Sequence, residues 1–161
     1  MIKYFVMDVD GTMTDGKINM GAESELFKSF NIKDGYGIHD LLPAAGIIPV
    51  VITGRESNIV INRCRELEIA AVFQNVKDKT EVLESFTNCE LDAVAYIGDD
   101  LNDLAVMEKV SKAGGVVGCP ADAVDKVRSS AIFVSKYNGG DGAVRDFIEW
   151  IIGNQGSENS E

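Results

Sequence analysis

Short, almost unbroken apolar runs recur along this chain, and each is followed by a segment whose apolar residues fall at helical spacing. The runs are "IKYFVMDV", "IIPVVI", "AAVF", "DAVAYIG", "AGGVVG" and "AIFV". Between them lie "DGYGIHDLLPAA", "SNIVINRCRELE", "KTEVLESF", "LNDLAVME" and "ADAVDKVRSS", and a last helical segment starts at Asp141. A strand with one wet face alternates apolar and polar residues, whereas a continuous apolar run needs cover on both faces. Strands of that kind separated by helices give a parallel sheet with helices on either side. The expected fold is therefore α/β, a Rossmann-like three-layer sandwich around a central parallel sheet. In the last segment Val144, Phe147, Ile148 and Ile151 form the stripe that packs against it.

One stretch breaks the alternation. From Gly16 to Lys33 the residues Ile18, Met20, Leu26, Phe27, Phe30 and Ile32 are interleaved with polar ones around "GAES". This predicts a β-hairpin over about 16–33, inserted after strand one. It is too short for a cap domain, so the fold is expected to be capless and its cleft closed by something else. No internal repeat or linker divides the chain, which gives one domain over 1–153 and a flexible tail over 154–161.

Ligands of open α/β sheets gather beyond the carboxyl ends of the strands, and four polar clusters stand there. They are "DVDGT" after the first run, "TGR" after "IIPVVI", "KDK" before "EVLESF", and "GDDLND" after "DAVAYIG". Two carboxylates one residue apart at a strand end suit phosphoryl transfer. Asp8 can attack phosphorus and carry an aspartyl-phosphate. Asp10 lies on the same side of an extended chain; it can protonate the leaving alcohol and then deprotonate water. Hard oxygen ligands from Asp8, Asp99 and the Asp10 carbonyl suit Mg²⁺, with Asp100 or Asp103 orienting its waters. The Thr53 hydroxyl, nearby backbone N–H groups and the Lys79 ammonium can hold the remaining phosphate oxygens. Each cluster also has a plainer reading. Asp-Gly is a turn signal, Thr53-Gly54 fits a helix cap, and acids at a helix start complement its dipole. Lys77 and Lys79 could be solvated charges. Four such clusters in this order outweigh the sum of those readings.

The formal charge of −11 argues against nucleic-acid and anionic-membrane partners, and it means that bound phosphate needs a cation beside it. Cys64, Cys89 and Cys119 are odd in number and irregularly spaced, which fits a reducing cytoplasm; Cys64 falls on one helical face with Val60 and Leu67. Lys3 and Asp8 interrupt the first apolar run, so no secretory signal is expected, and no uninterrupted apolar segment is long enough to span a bilayer. His39 is the only histidine, and its neighbours Ile38, Leu41 and Leu42 assign it to packing or the surface.

The set "DVDGT", "TG", "K" and "GDDLND" resembles the haloacid dehalogenase superfamily of aspartate-nucleophile phosphatases. More narrowly, "MDVDGTMTDG", "ITGRES", "QNVKDKTEVL", "YIGDDLNDLAVM" and "GGDGAVRDFIEWI" are similar to the 3-deoxy-D-manno-octulosonate 8-phosphate phosphatases. That branch typically reads "DVDGVLTDG", so Thr12 and Met13 depart slightly. The resemblance implies Lys79, with Lys77 as the alternative, as the phosphate-binding lysine. It also implies a sugar-acid phosphate substrate, a homotetramer in which a neighbouring subunit covers the cleft, and the Gly16–Lys33 hairpin as the assembly contact. Arg55 and Arg63 are candidates for the sugar carboxylate, because a guanidinium fork matches it. With Thr12 and Gly54 they make up the candidate substrate-binding set. A sister branch acts on nine-carbon sialic-acid-type 9-phosphates and tends to have Glu where Arg55 stands, which favours the eight-carbon ester. The 138–142 loop "NGGDG" is either a simple turn or part of the site's surroundings. The alternatives of another kind are a non-catalytic assembly module and a phosphatase or phosphotransferase of broad specificity.

Overall fold

The structure, a computed structural model, describes residues 1–158. In chain order its strands are β1 (Tyr4–Met7), β2 (Asn19–Met20), β3 (Glu25–Phe27), β4 (Ile48–Ile52), β5 (Ala71–Phe73), β6 (Val94–Ile97), β7 (Val116–Cys119) and β8 (Phe133–Val134). The α-helices are α1 (Ile32–Tyr36), α2 (Leu42–Ala44), α3 (Asn58–Glu66), α4 (Lys79–Thr87), α5 (Leu101–Ala113), α6 (Asp125–Ser130) and α7 (Ala143–Glu158). A π-helical turn over Gly37–Leu41 joins α1 to α2, so the expected single helix is a bent one, with Pro43 just inside the start of α2.

Six strands form one sheet in the order β5-β4-β1-β6-β7-β8, and every pairing in it is parallel. The chain lays down β1, β4 and β5 in one direction, then returns to pair β6 with the free edge of β1 and continues to β7 and β8. The order therefore reverses between β1 and β6, which is where an open α/β sheet leaves a crevice. Met7 of β1 is level with both Val51 of β4 and Ile97 of β6. The loops leaving these three strands, at Asp8, Thr53 and Gly98, thus emerge side by side.

The continuous apolar character of the strands has the expected cause. Phe5 and Met7 pack on one face with Ile38, Leu42, Val144, Phe147 and Ile148, while Val6 packs on the other with Leu83, Tyr96, Val106 and Met107. Full burial of a side chain such as Phe147 is worth about 1.5–3 kcal/mol, and its ring stands 5.6 Å from that of Phe5 and 5.1 Å from that of Phe133. Cys64 is buried among these residues.

β2 and β3 form a separate antiparallel pair, the hairpin after strand one. The helix α7 runs past residue 153, where a flexible tail was expected. The side chain of Gln155 explains this in part: its Oε1 accepts from the Ile2 N–H at 3.0 Å, tying the last turns to the chain start. The helix reaches Glu158, and the rest of the expected tail lies outside the described residues. No helix among the described residues is long and apolar enough to cross a membrane.

Candidate active site

Asp8 continues β1, donating its backbone N–H to Ile97 O at 3.1 Å, and its side chain is 6% exposed. Lys79, the first residue of α4, reaches it: Nζ stands 2.7 Å from Asp8 Oδ1 and 2.7 Å from Asp103 Oδ1. That helix starts where it does because the Asp78 carboxylate caps it, accepting from the Thr80 and Glu81 N–H groups. Lys77 is exposed and lies outside this arrangement.

Asp103 is fully buried. It accepts from Tyr96 OH at 2.7 Å as well as from Lys79, and its Oδ2 accepts from the Asp99 and Asp100 N–H groups at 3.0 and 3.3 Å. Asp100 and Asp103 form the capping box of α5. One side chain therefore caps the helix and anchors the lysine, so the two readings of "GDDLND" do not compete. Asp99 is tied to the first loop by Thr12, whose Oγ1 donates to Asp99 Oδ1 at 3.4 Å. Gly11 has φ of +91°, and a Cβ there would fall 2.0 Å from Asp99 Oδ2, so only glycine lets that carboxylate approach.

Burial, followed by the charge of Asp103, raises the Asp8 carboxyl to about 6, although Lys79 pulls it the other way. Burial and then the charges of Asp8 and Asp103 raise Asp99 to about 8. Burial alone would lower Lys79, but Asp8 and Asp103 outweigh it and its ammonium is raised. One lysine thus faces more carboxylate charge than it can neutralise. Oxygens of Asp8, Asp99 and Asp103 all lie within 4.8 Å of one another, a hard-oxygen set that a small divalent cation fits and that the single ammonium leaves under-neutralised.

The cleft over these groups has a volume of about 260 Å³ and is lined by Asp8, Asp10, Gly16, Thr53, Gly54, Arg55, Asp99, Asp100 and Asn102. Thr53 is buried there, fixed by its N–H to Phe73 O at 2.9 Å and by Val76 N–H to its own carbonyl at 3.1 Å. Arg55 projects over the mouth, 45% exposed, with NH1 4.0 Å from Asp10 Oδ1 and 3.7 Å from Glu25 Oε2.

Arg63 does not join this cleft, which corrects its assignment to substrate. Ser57 caps α3, so Arg63 sits six residues into the helix, about 9 Å along its axis from the site end. It packs over the Phe30 ring and pairs with Glu66 at 2.8 Å. His39 is on the surface beside Asp40.

The 138–142 loop lies against the loop that follows β1. Gly140 N–H donates to Thr12 O at 3.1 Å, and a Cβ on Gly139 would fall 1.9 Å from Gly11 O. Sequence reasoning missed three further residues. Tyr96 carried a signal, since a hydroxyl inside a fully apolar strand needs a buried partner. Lys28 and Glu25 carried none: in an exposed-looking hairpin both read as solvated charges. Lys28 Nζ is 2.5 Å from Asp10 Oδ1 and 3.1 Å from Glu25 Oε2.

A parallel sheet of this order, with an aspartate ending its first strand and a lysine–carboxylate cradle at the switch point, is the architecture of the haloacid dehalogenase superfamily of hydrolases. No family model matches the chain. Over 155 residues it is 39% identical to the 3-deoxy-D-manno-octulosonate 8-phosphate phosphatase of Yersinia pestis, covering 94% of this chain and 80% of that one. The Moraxella catarrhalis phosphatase, solved with magnesium, phosphate and the sugar acid, superposes with a TM-score of 0.88 at 35% identity, covering 99% of this chain and 90% of that one. A cobalt-bound Haemophilus influenzae phosphatase gives 0.86 at 35% identity, covering 96% and 90%. The chain belongs to the family of 3-deoxy-D-manno-octulosonate 8-phosphate phosphatases.

Proposed function

We propose that this protein hydrolyses 3-deoxy-D-manno-octulosonate 8-phosphate to the free sugar acid and phosphate, with Mg²⁺ as cofactor and an aspartyl-phosphate on Asp8. The observation that carries the reading is the buried Asp8 carboxylate at the end of β1, hydrogen-bonded to Lys79 and flanked by Asp99, in a chain of this family. An Asp8 oxygen attacks phosphorus and the ester P–O bond breaks. Asp10 gives its proton to the departing sugar oxygen and later takes one from the water that hydrolyses the acyl phosphate. Lys79 uses two of its three donors on Asp8 and Asp103, which leaves one for a phosphate oxygen beside the Thr53 hydroxyl and the Gly54 backbone. Asp8, Asp99 and the Asp10 carbonyl would hold Mg²⁺, with Asp100 and Asp103 behind them, and the ion would supply the positive charge that lets a carboxylate meet a phosphate dianion. Arg55 over the cleft mouth suits the sugar carboxylate, and Thr12 serves indirectly by holding Asp99.

The working unit is a homotetramer in the cytoplasm. Met20, Leu26 and Phe27 on the hairpin are 62, 66 and 53% exposed, and an apolar rim of this kind suits burial against a neighbouring copy. Three free cysteines suit a reducing compartment. Phosphate release with Mg²⁺ should be compared for the eight-carbon ester, a nine-carbon 9-phosphate and a generic ester, alongside Asp8→Asn. A preference for the eight-carbon ester and a loss of about 10³-fold or more in the variant are expected. Turnover surviving in folded Asp8→Asn, or preference for another ester, would overturn the reading. Phe27→Glu should lower the mass in solution below that of a tetramer.

A further inference from the structure

The hairpin has its polarity inverted. Its apolar side chains Met20, Leu26 and Phe27 face outward, whereas the Lys28 side chain is only 1% exposed and Glu25 only 11%. A buried ammonium is strongly unfavourable unless it is paired, and an aliphatic residue would seat the hairpin without that cost. What the lysine reaches gives the reason for its presence. Its Nζ stands 2.5 Å from Asp10 Oδ1, while Glu25 holds it from the other side at 3.1 Å and itself lies 3.7 Å from Arg55. Asp10 is 20% exposed in the cleft wall, so this ion pair is the firmest hold on its side chain.

We infer that Lys28 is the positioning residue for Asp10 in both of its proton transfers, an inference that rests on the function proposed above. With Oδ1 taken by the ammonium, the Asp10 carboxylate cannot swing freely, and Oδ2 becomes the oxygen that meets the reacting groups. In the first transfer the proton on Asp10 passes to the sugar oxygen as the ester P–O bond breaks. In the second, a water oxygen bonds to phosphorus, the bond from phosphorus to the Asp8 oxygen breaks, and the water proton passes to Asp10. Asp8 is restored as a carboxylate and inorganic phosphate departs. Lys28 touches neither phosphate nor sugar in this scheme.

An aryl ester separates this role from a structural one. The nitrophenolate of p-nitrophenyl phosphate leaves without an acid, so only the second transfer depends on Asp10. In Lys28→Met, kcat for this ester should fall about 10²-fold, the loss typical of a reacting group misplaced by an ångström. Its kcat/KM should change far less, and a burst of one nitrophenolate per active site should precede slow turnover. With the sugar ester both parameters should fall. Adding Lys28→Met to Asp10→Asn should cost nothing further. Should Lys28→Met alone fail to fold, Glu25→Gln with Lys28→Met removes the ammonium together with the second carboxylate that holds it and gives the same aryl-ester readouts. Equal losses in kcat and kcat/KM for the aryl ester without a burst, or additive losses with Asp10→Asn, would overturn the inference. A lowered melting temperature with normal kinetics would do the same. Failure of the underlying reading would appear elsewhere, as turnover in Asp8→Asn.

Discussion

Magnesium affinity should depend steeply on pH, because protons and the metal compete for the same oxygens. Asp99 is raised to about 8 and Asp8 to about 6 when no cation is bound. At pH 8 Asp8 is ionised and Asp99 partly so, whereas at pH 6 Asp99 is almost wholly protonated. Apparent affinity should thus fall by more than tenfold, on the order of 100-fold, from pH 8 to pH 6. The sign for the metal-free protein follows from the same values. Both folded-state pKa values lie above the unfolded ones, so the contribution to stability is complete below about pH 4 and is lost as pH rises through 6 and then 8. The metal restores it where the carboxylates are ionised. With Mg²⁺ well above its dissociation constant at both pH values, the melting-temperature gap between magnesium-loaded and EDTA-treated protein should widen by several degrees from pH 6 to pH 8. Thermal melts in matched buffers, with titration calorimetry for the affinity, measure it. An affinity that is flat over this range, or higher at pH 6, would refute the argument that these carboxylates hold the metal.

Asp34 offers a second test, away from the cleft. It is buried, accepts from the Arg145 N–H at 2.9 Å, and is raised to about 6 by burial against the opposing effect of the Arg145 and Gly142 N–H groups. Its stabilising share is therefore present at low pH and lost through pH 6. Asp34→Asn keeps the acceptor and should stabilise by up to about 3 kcal/mol at pH 8 but little at pH 4; denaturant melts showing an equal effect at both would contradict it. Tyr96→Phe removes the buried hydroxyl from Asp103 and should cost about 2 kcal/mol in urea unfolding, with turnover largely kept because Lys79 still holds both acids. Gly139→Ala pushes a methyl into the Gly11 carbonyl and should reduce kcat while the far-ultraviolet circular dichroism stays unchanged.

The sheet was legible because its strands are buried on both faces; "FVM", "PVVI" and "AYI" have no polar alternation to confuse with a surface strand. The residues at their ends were legible for a related reason, since acids directly behind such runs have no solvated surface to serve. Arg63 failed because guanidinium chemistry names a ligand class but not a position, and six residues of helix carry the side chain out of reach. Lys28 was hidden because β2 and β3 are two and three residues long, too short for a periodicity that would tell an inward side chain from an outward one. The continuation of α7 is supported by Gln155 meeting Ile2, a contact across the length of the chain that no local pattern carries.

The seam between Gly140 and Thr12 bears on how the protein is made. The backbone group that closes the loop after β1 comes far later in the chain, at Gly140, and Arg145 likewise reaches back to Asp34 across 111 residues. Closing so large a loop costs entropy before any contact rewards it. The loop after β1 is therefore sealed late in synthesis. A nascent chain that ends after β7 lacks the piece that seals Gly11, so the cleft is open on that side until the 138–142 loop has been made.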